Sequence, residues 1–304
     1  MPFLSIVTTL YQSEHYVEEF YQRTISAASK ISNDYEIIFV DDGSTDNSCG
    51  IAKKIIEKDK KVRLVELSRN FGHHKAIIVG LEHCKGDYVF LVDSDLEEDP
   101  DLLLTFYGIM QKDLKNTDVV YGYLEDRRGT YFGKLFYKLF NFIGDIFMHE
   151  GTILVRVMKK SYVNNLLQFK EKDVFILGLM QLAGFKQVAV PVHKADKGKS
   201  TYTFLKKLSL AADAIFSFSN KPLLYICVLG FIMSIISFLC AAYLILKRLF
   251  GSSEVLLGWT SMMVSLYLIG GLIIFSIGIV GIYIGRTYLQ VKNRPNTIIR
   301  NIYN

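Results

Sequence analysis

The chain has 304 residues, half of them hydrophobic, with a formal net charge of +5 and four cysteines. Its mean hydropathy is positive, which excludes an ordinary soluble domain but leaves room for one α/β domain plus a membrane segment. Cys49, Cys84, Cys227 and Cys240 show neither metal spacing nor a disulfide framework, and the modest charge suits phosphate ligands or an anionic membrane surface better than nucleic acid, for which no motif is present.

The N-terminal part alternates strand and helix. Met1 to Thr8 leads straight into a strand at Leu4-Ser5-Ile6-Val7-Thr8, with no basic region of the kind that opens a signal peptide. A helix is expected over Glu14 to Lys30 and a second strand over Tyr35 to Val40. That strand runs into Asp41-Asp42-Gly43-Ser44-Thr45-Asp46, where Gly43 permits a tight turn and Asp46 suits the cap of a helix over Asn47 to Lys58. A third strand, Val62 to Leu67, ends at Ser68-Arg69-Asn70-Phe71-Gly72, and the next helix carries Ile77, Leu81 and Cys84 on one face. Asp87 to Val92 reads as a buried strand that opens into Asp93-Ser94-Asp95-Leu96-Glu97-Glu98-Asp99, with Pro100 suited to the first turn of a following helix. The alternation predicts a mostly parallel sheet with helices on both faces. Ligands bind at the carboxyl edge of such a sheet. Carboxylates two apart at that edge suit a hard divalent cation that shares its shell with substrate phosphates. Alone, an Asp-x-Asp is more often a solvated acidic turn, and for Asp41 and Asp42 turn chemistry and a functional role fit the spacing about equally.

Further along, Asp118 to Tyr123, Thr152 to Val157 and Gln187 to Val192 read as strands, with a helix near Val174 to Ala183. Phe132, Leu135, Phe136, Leu139, Phe140, Ile143 and Phe147 fall at helical spacing opposite Lys134 and Lys138. This aromatic face suits an amphipathic helix over 131–148 lying in a membrane interface. A second such helix is expected over 204–221. Pro222 to Leu246 and Ser261 to Ile284 are uncharged and apolar, each long enough for the roughly 20 residues a bilayer needs. Lys206, Lys207 and Lys221 flank one end, and Arg286, Lys292, Arg294 and Arg300 the other. The positive-inside rule then places both termini in the cytoplasm. The expected organisation is a catalytic domain over 1–203, the interfacial helix 204–221, spans at 222–246 and 261–284, an extracytoplasmic loop at 247–260 and a basic cytoplasmic tail at 285–304.

Val40-Asp41-Asp42-Gly43-Ser44-Thr45-Asp46, Ser68-Arg69-Asn70-Phe71-Gly72-His73, Gly86-Asp87 and Asp93-Ser94-Asp95-Leu96, in this order and spacing, resemble family 2 glycosyltransferases of the GT-A fold. The likeness is to polyprenyl-phosphate glycosyltransferases and dolichol-phosphate-mannose synthases, and it runs to the C-terminus. It implies that Asp41 or Asp42 meets the base and ribose of a nucleotide-diphosphate sugar and that Asp95 holds Mg²⁺ or Mn²⁺. Asp93 is implied to touch the nucleotide or the metal shell. Thr9, Tyr11 and Glu97 fall at donor-binding positions. The chain departs from the family at Thr9-Leu10-Tyr11-Gln12-Ser13, where the family reads P-x-Y-N-E, and at Glu97, where it has Gln.

For the acceptor phosphate the resemblance implicates basic residues after the Asp118 strand, here Arg127 and Arg128, with Arg128 favoured; the planar arginine fork binds phosphate oxygens bidentately. Lys134 joins them. The segment His193-Lys194-Ala195-Asp196-Lys197-Gly198-Lys199-Ser200-Thr201-Tyr202 is similar to the family's R-x-x-G-x-S-K-Y and brings in Lys197, Ser200 and Tyr202, although Ala195 and Thr201 replace the arginine and lysine. The implied reaction is an inverting, metal-dependent sugar transfer to the phosphate of a polyprenyl phosphate, undecaprenyl phosphate above all. It would occur at the cytoplasmic face of a plasma or inner membrane, in a multi-pass protein packed as a homo-oligomer, with a tetramer as one arrangement. No general base is named, and His15, His73, His74, His83, His149 and His193 are read as structural or surface residues. Asp93, Asp95 and Arg128 are the residues expected to carry catalysis. A processive polysaccharide synthase would need a Q-x-x-R-W motif, whereas the single tryptophan, Trp259, lies between the spans. The alternative from another class is a catalytically inactive membrane scaffold that keeps the glycosyltransferase fold.

Overall fold

The computed structural model describes residues 3–124, 138, 141–142, 147, 149–172, 174–193, 219, 221–250 and 258–304, with the backbone alone at part of positions 234–268. In chain order the elements are β1 (Leu4–Leu10), α1 (Val17–Ser29), β2 (Tyr35–Asp41), α2 (Ser48–Lys58), β3 (Val62–Leu67), α3 (His73–His83), β4 (Tyr88–Leu91), α4 (Leu102–Lys112), β5 (Val119–Leu124), β6 (Thr152–Lys159), α5 (Lys160–Leu166), α6 (Ile176–Leu182), β7 (Gln187–Val192), α7 (Lys221–Phe250), α8 (Trp259–Lys292) and β8 (Ile299–Tyr303). The interfacial helix expected at 131–148 lies almost entirely outside the described residues, and so does the one expected at 204–221.

The strands form one sheet in the order β7-β5-β6-β4-β1-β2-β3-β8. Strands β1 to β4 run parallel, β6 runs antiparallel between β4 and β5, β7 pairs parallel with β5, and β8 pairs antiparallel with β3. β1 and β2 are buried along their whole length, which is why they read as apolar runs rather than as alternating strands. Successive residues of β2 serve opposite cores. Ile37 and Phe39 pack with Phe20, Ala52, Ile55 and Phe106. Ile38 and Val40 pack with Ile77, Leu81, Tyr162 and Leu179 on the other face. α3 lies hard against β1: a Cβ on Gly80 would fall 2.4 Å from Val7 Cγ1. That closeness fixes where the N-terminus of α3 meets the sheet edge.

Strand order reverses between β4 and β1, since β2 and β3 extend from one side of β1 and β4 lies on the other. The carboxyl ends of β1, β2 and β4 therefore converge at a topological switch point, the place where open α/β sheets bind ligands.

Beyond the sheet, α7 and α8 are longer than the two stretches expected from hydropathy. Among the described residues one stretch, Ile269–Lys292, is long and apolar enough to cross a membrane by length and composition, and Lys221–Met233 is a shorter apolar stretch. Two candidate spans were expected; the described residues carry one. Its side chains face outward, with Ile273, Ile274, Phe275, Ile277 and Ile284 all exposed. Asn293, in the left-handed conformation at φ 46°, closes α8, and Pro295 follows, a common order at helix ends. Residues 299–303, expected within a basic tail, are instead the eighth strand of the sheet. Four of the five β8 side chains are exposed, so the segment carries no burial periodicity by which a strand is recognised.

Candidate active site

Three loops build the site, each leaving the carboxyl end of a strand. After β2, Asp41 and Asp42 are both 2 % exposed but differ in their bonding. Asp42 Oδ1 accepts the Phe71 backbone N–H at 2.7 Å and Oδ2 accepts that of Gly72 at 3.0 Å. Asp41 Oδ2 accepts the Ser44 N–H at 3.3 Å, while its Oδ1 is buried with no hydrogen-bond partner among the described residues. Burial pushes both carboxyls above the ordinary range; hydrogen bonds from Ser44 oppose this at Asp41, and those from Phe71 and Gly72 oppose it at Asp42. Gly43 sits at φ +68°, and a Cβ there would lie 2.5 Å from the Arg69 carbonyl carbon and the Asn70 nitrogen. The turn thus packs backbone to backbone on the loop after β3, which only glycine allows.

After β4, Asp93 is about three-quarters buried, and its Oδ1 lies 3.3 Å from His73 Nε2. The other ring nitrogen of His73 lies 3.0 Å from Thr9 Oγ1. The His73 pKa is raised: burial works against the charged ring, but the hydrogen bond and charge of Asp93, with Asp42 and Glu98 behind them, outweigh it. Ser94 donates to the Thr9 carbonyl at 2.8 Å and lies 3.4 Å from Ser13 Oγ, tying the loop to the end of β1. Asp95 Oδ1 accepts the Glu97 N–H at 3.0 Å, and Leu96 between them takes φ 59°. Tyr11 stands 48 % exposed beside Gln12, itself at φ 54°.

The sheet edge therefore brings together Thr9, Tyr11, Asp41, Asp42, Asp93, Asp95 and Glu97. Arg127, Arg128, Lys134, Lys197, Ser200 and Tyr202, expected at the acceptor phosphate, lie outside the described residues. Among the described residues no three His, Cys, Asp or Glu side chains gather into a metal-holding group. Asp93 and Asp95 still offer the hard oxygen donors that suit Mg²⁺ or Mn²⁺, and a cation of this kind completes its shell with phosphate oxygens and water. The donor set fits the ion. His73, read from the sequence as structural or surface, bridges Thr9 and Asp93, a contact the sequence reading did not foresee. Its position, immediately after Gly72 at the start of a helix on the sheet edge, was the available signal.

The fold and these loops define an α/β ligand site at a strand switch point. Residues 5–167, more than half of the chain, match glycosyl transferase family 2. The chain belongs to that family. It is 49% identical over 304 residues to a protein of Mycobacterium tuberculosis (strain CDC 1551 / Oshkosh) called "Putative glycosyltransferases", covering 99% of this chain and 88% of the relative. It is 30% identical over 309 residues to the undecaprenyl-phosphate 4-deoxy-4-formamido-L-arabinose transferase of Edwardsiella ictaluri (strain 93-146), covering 99% and 94%. A third relative, the SfII prophage-derived bactoprenol glucosyl transferase of Shigella flexneri, is 31% identical over 306 residues, covering 98% and 97%.

Proposed function

We propose that this glycosyltransferase moves a sugar from a nucleotide-diphosphate donor to the phosphate of a polyprenyl phosphate at the cytoplasmic face of a membrane. The observation that carries the reading is the joining of a donor-type site to an apolar helix in one fold. The same sheet that presents Asp41, Asp93 and Asp95 takes in β8, the strand that follows α8. Relatives along the whole chain that are named for undecaprenyl phosphate or bactoprenol support the acceptor.

Asp41 Oδ1 offers a buried acceptor to a base N–H or a ribose hydroxyl. An unsatisfied buried oxygen costs about 1–3 kcal/mol, and a ligand donor relieves that cost. Tyr11 and Thr9 flank the donor, and Glu97 stands beside the Asp93–Asp95 pair. A bound Mg²⁺ or Mn²⁺ would stabilise the charge that develops on the departing nucleoside diphosphate. An oxygen of the acceptor phosphate attacks the anomeric carbon as the bond to the donor diphosphate breaks, which inverts that centre in one displacement. A phosphate monoester with a second pKa of about 6 is largely ionised at neutral pH, so no strong general base is required. Arg127, Arg128, Lys134, Lys197, Ser200 and Tyr202 are assigned to that phosphate by the family resemblance.

Chain topology supports two spans. β8 pairs with β3 of the catalytic domain, so the chain returns to that domain after α8. If α8 crosses the bilayer once, an earlier crossing must precede it, and α7 is the segment available. The catalytic domain and the C-terminus then share one side.

The test is transfer itself. Purified protein with undecaprenyl phosphate, Mn²⁺ or Mg²⁺ and a panel of labelled nucleotide sugars is expected to move label into the lipid phase from one donor, and Asp95→Ala to abolish the transfer. Metal-dependent nucleotide binding without transfer from any donor would favour the inactive scaffold instead.

A further inference from the structure

The loop Ser68 to His74 carries the two backbone N–H groups that hold Asp42 and the imidazole that holds Asp93. Its other side is held by the C-terminal segment. The Ser68 N–H donates to the Ile298 carbonyl at 2.9 Å. Arg300 Nη2 donates to the Ser68 carbonyl at 2.8 Å, and Arg300 Nη1 meets Glu66 Oε1 at 3.2 Å. The β3–β8 register shifts between Glu66 and Leu67, so the ladder breaks where the loop begins, and the guanidinium takes the carbonyl there.

The far end of the loop meets the segment before α6. His74 Nδ1 lies 3.0 Å from the Val174 carbonyl. The stretch just before it is gripped by the end of α8: Gln290 Nε2 donates to the Lys170 carbonyl at 3.1 Å, Lys172 Nζ to the Arg294 carbonyl at 2.7 Å, and Asn296 Nδ2 to the Glu171 carbonyl at 2.9 Å. Ile298 and Arg300 thus hold the loop directly at Ser68, and Gln290, Arg294 and Asn296 grip the stretch 170–172 near its other contact, while Asp42 and Asp93 take hold of its middle.

We propose that Arg300 is a positioning residue for the donor site: through Ser68 it sets the loop whose amides and imidazole orient Asp42 and Asp93, and so makes donor binding depend on how the end of α8 is seated. This rests on the donor reading above. Arg300 is more than half exposed, and exposed ion pairs contribute little to global stability. Its loss should therefore appear at the site rather than in unfolding.

The experiment uses the full chain in lipid nanodiscs. Affinity for UDP and for GDP, each with Mn²⁺, is measured by calorimetry, and amide exchange is followed at Phe71 and Gly72. Arg300→Ala is expected to weaken binding of the preferred nucleotide about tenfold, the worth of one charge-assisted hydrogen bond, and to speed exchange at both amides. Its unfolding midpoint should stay near that of the unmodified chain. Arg300→Lys should recover part of the affinity. Lys292→Ala, which removes a basic side chain bonded to Tyr288 within α8, should change neither readout. Unchanged affinity and exchange in Arg300→Ala would overturn the proposal, as would a fall in the unfolding midpoint that accounts for the whole loss. If the unmodified chain binds neither nucleotide with Mn²⁺, the donor reading falls, and exchange at Phe71 and Gly72 still decides the positioning role.

Discussion

Asp41 and Asp42 are neighbours, equally buried and equally charged, yet only one has both oxygens committed to the fold. Asp42 spends its carboxylate on two backbone N–H groups of the next loop, whereas Asp41 keeps a buried oxygen without a partner among the described residues. The two substitutions should therefore separate. Asp42→Asn replaces one acceptor oxygen with a donor that faces a backbone N–H, and is expected to lower folding stability by about 2 kcal/mol in denaturant titration. Asp41→Asn leaves the Ser44 contact available and should change stability by less than about 1 kcal/mol while weakening nucleotide binding. Equal destabilisation by both would show that Asp41 is structural as well. On the sequence the two aspartates were equivalent, because the acid pair alone does not reveal where the Phe71 and Gly72 amides come to lie. Arg156 makes the same point from the core. It is fully buried, donates to the Leu154 and Ile153 carbonyls at 2.9 Å each, and lies over the Tyr121 ring. A charge inside a run of apolar strand residues gives no hint that it serves its own strand's backbone.

At the scale of elements, three side chains of β8 converge on a single carboxylate of β3. Glu66 accepts from Arg300 at 3.2 Å, Asn301 at 3.3 Å, Tyr303 at 3.0 Å and Lys53 at 3.5 Å. Burial raises its pKa, but the bonds from Asn301 and Tyr303 and the charge of Lys53 outweigh burial and leave the carboxyl below its ordinary value of 4.5. A carboxyl depressed by folding stabilises the native state above its unfolded pKa, and that contribution is lost as the pH falls through the folded value. β8 should therefore loosen in acid below about pH 4.5. Melting followed by circular dichroism between about pH 6 and pH 3 should show a steeper acid loss in the unmodified chain than in Glu66→Gln; parallel curves would remove Glu66 from the account. The strands of the first half were legible as continuous apolar runs and its helices by apolar periodicity. α5 was not, since it follows β6 without an intervening turn signal.

For the whole molecule the proposed function makes the number of membrane crossings testable. With α8 followed by a strand of the catalytic sheet, an even number of crossings is expected. A cysteine placed at Gly258, which caps α8, should be labelled by a membrane-impermeant maleimide in intact cells. One placed at Asn304 should be labelled only after lysis. Labelling of Asn304 from outside, or protection of Gly258, would sink the two-span topology. The native cysteines give little background, since Cys49 and Cys84 belong to the catalytic domain and Cys227 and Cys240 lie in apolar runs.

By itself the sequence determined the parallel α/β core, the acidic loops at its carboxyl edge, the family and the apolar C-terminal helices. These are local signals: periodicity of burial, turn residues and motifs whose spacing survives without knowledge of distant partners. Only the tertiary structure decided that Asp42 gives both oxygens to the next loop while Asp41 does not, that His73 bridges Thr9 and Asp93, and that the C-terminal residues return to the sheet beside the loop after β3. Each of those depends on contacts between segments separated in the chain, from 20 residues for His73 and Asp93 to 232 for Arg300 and Ser68. Such bonds are set by the packing of whole elements, and residue pattern within any one segment does not encode them.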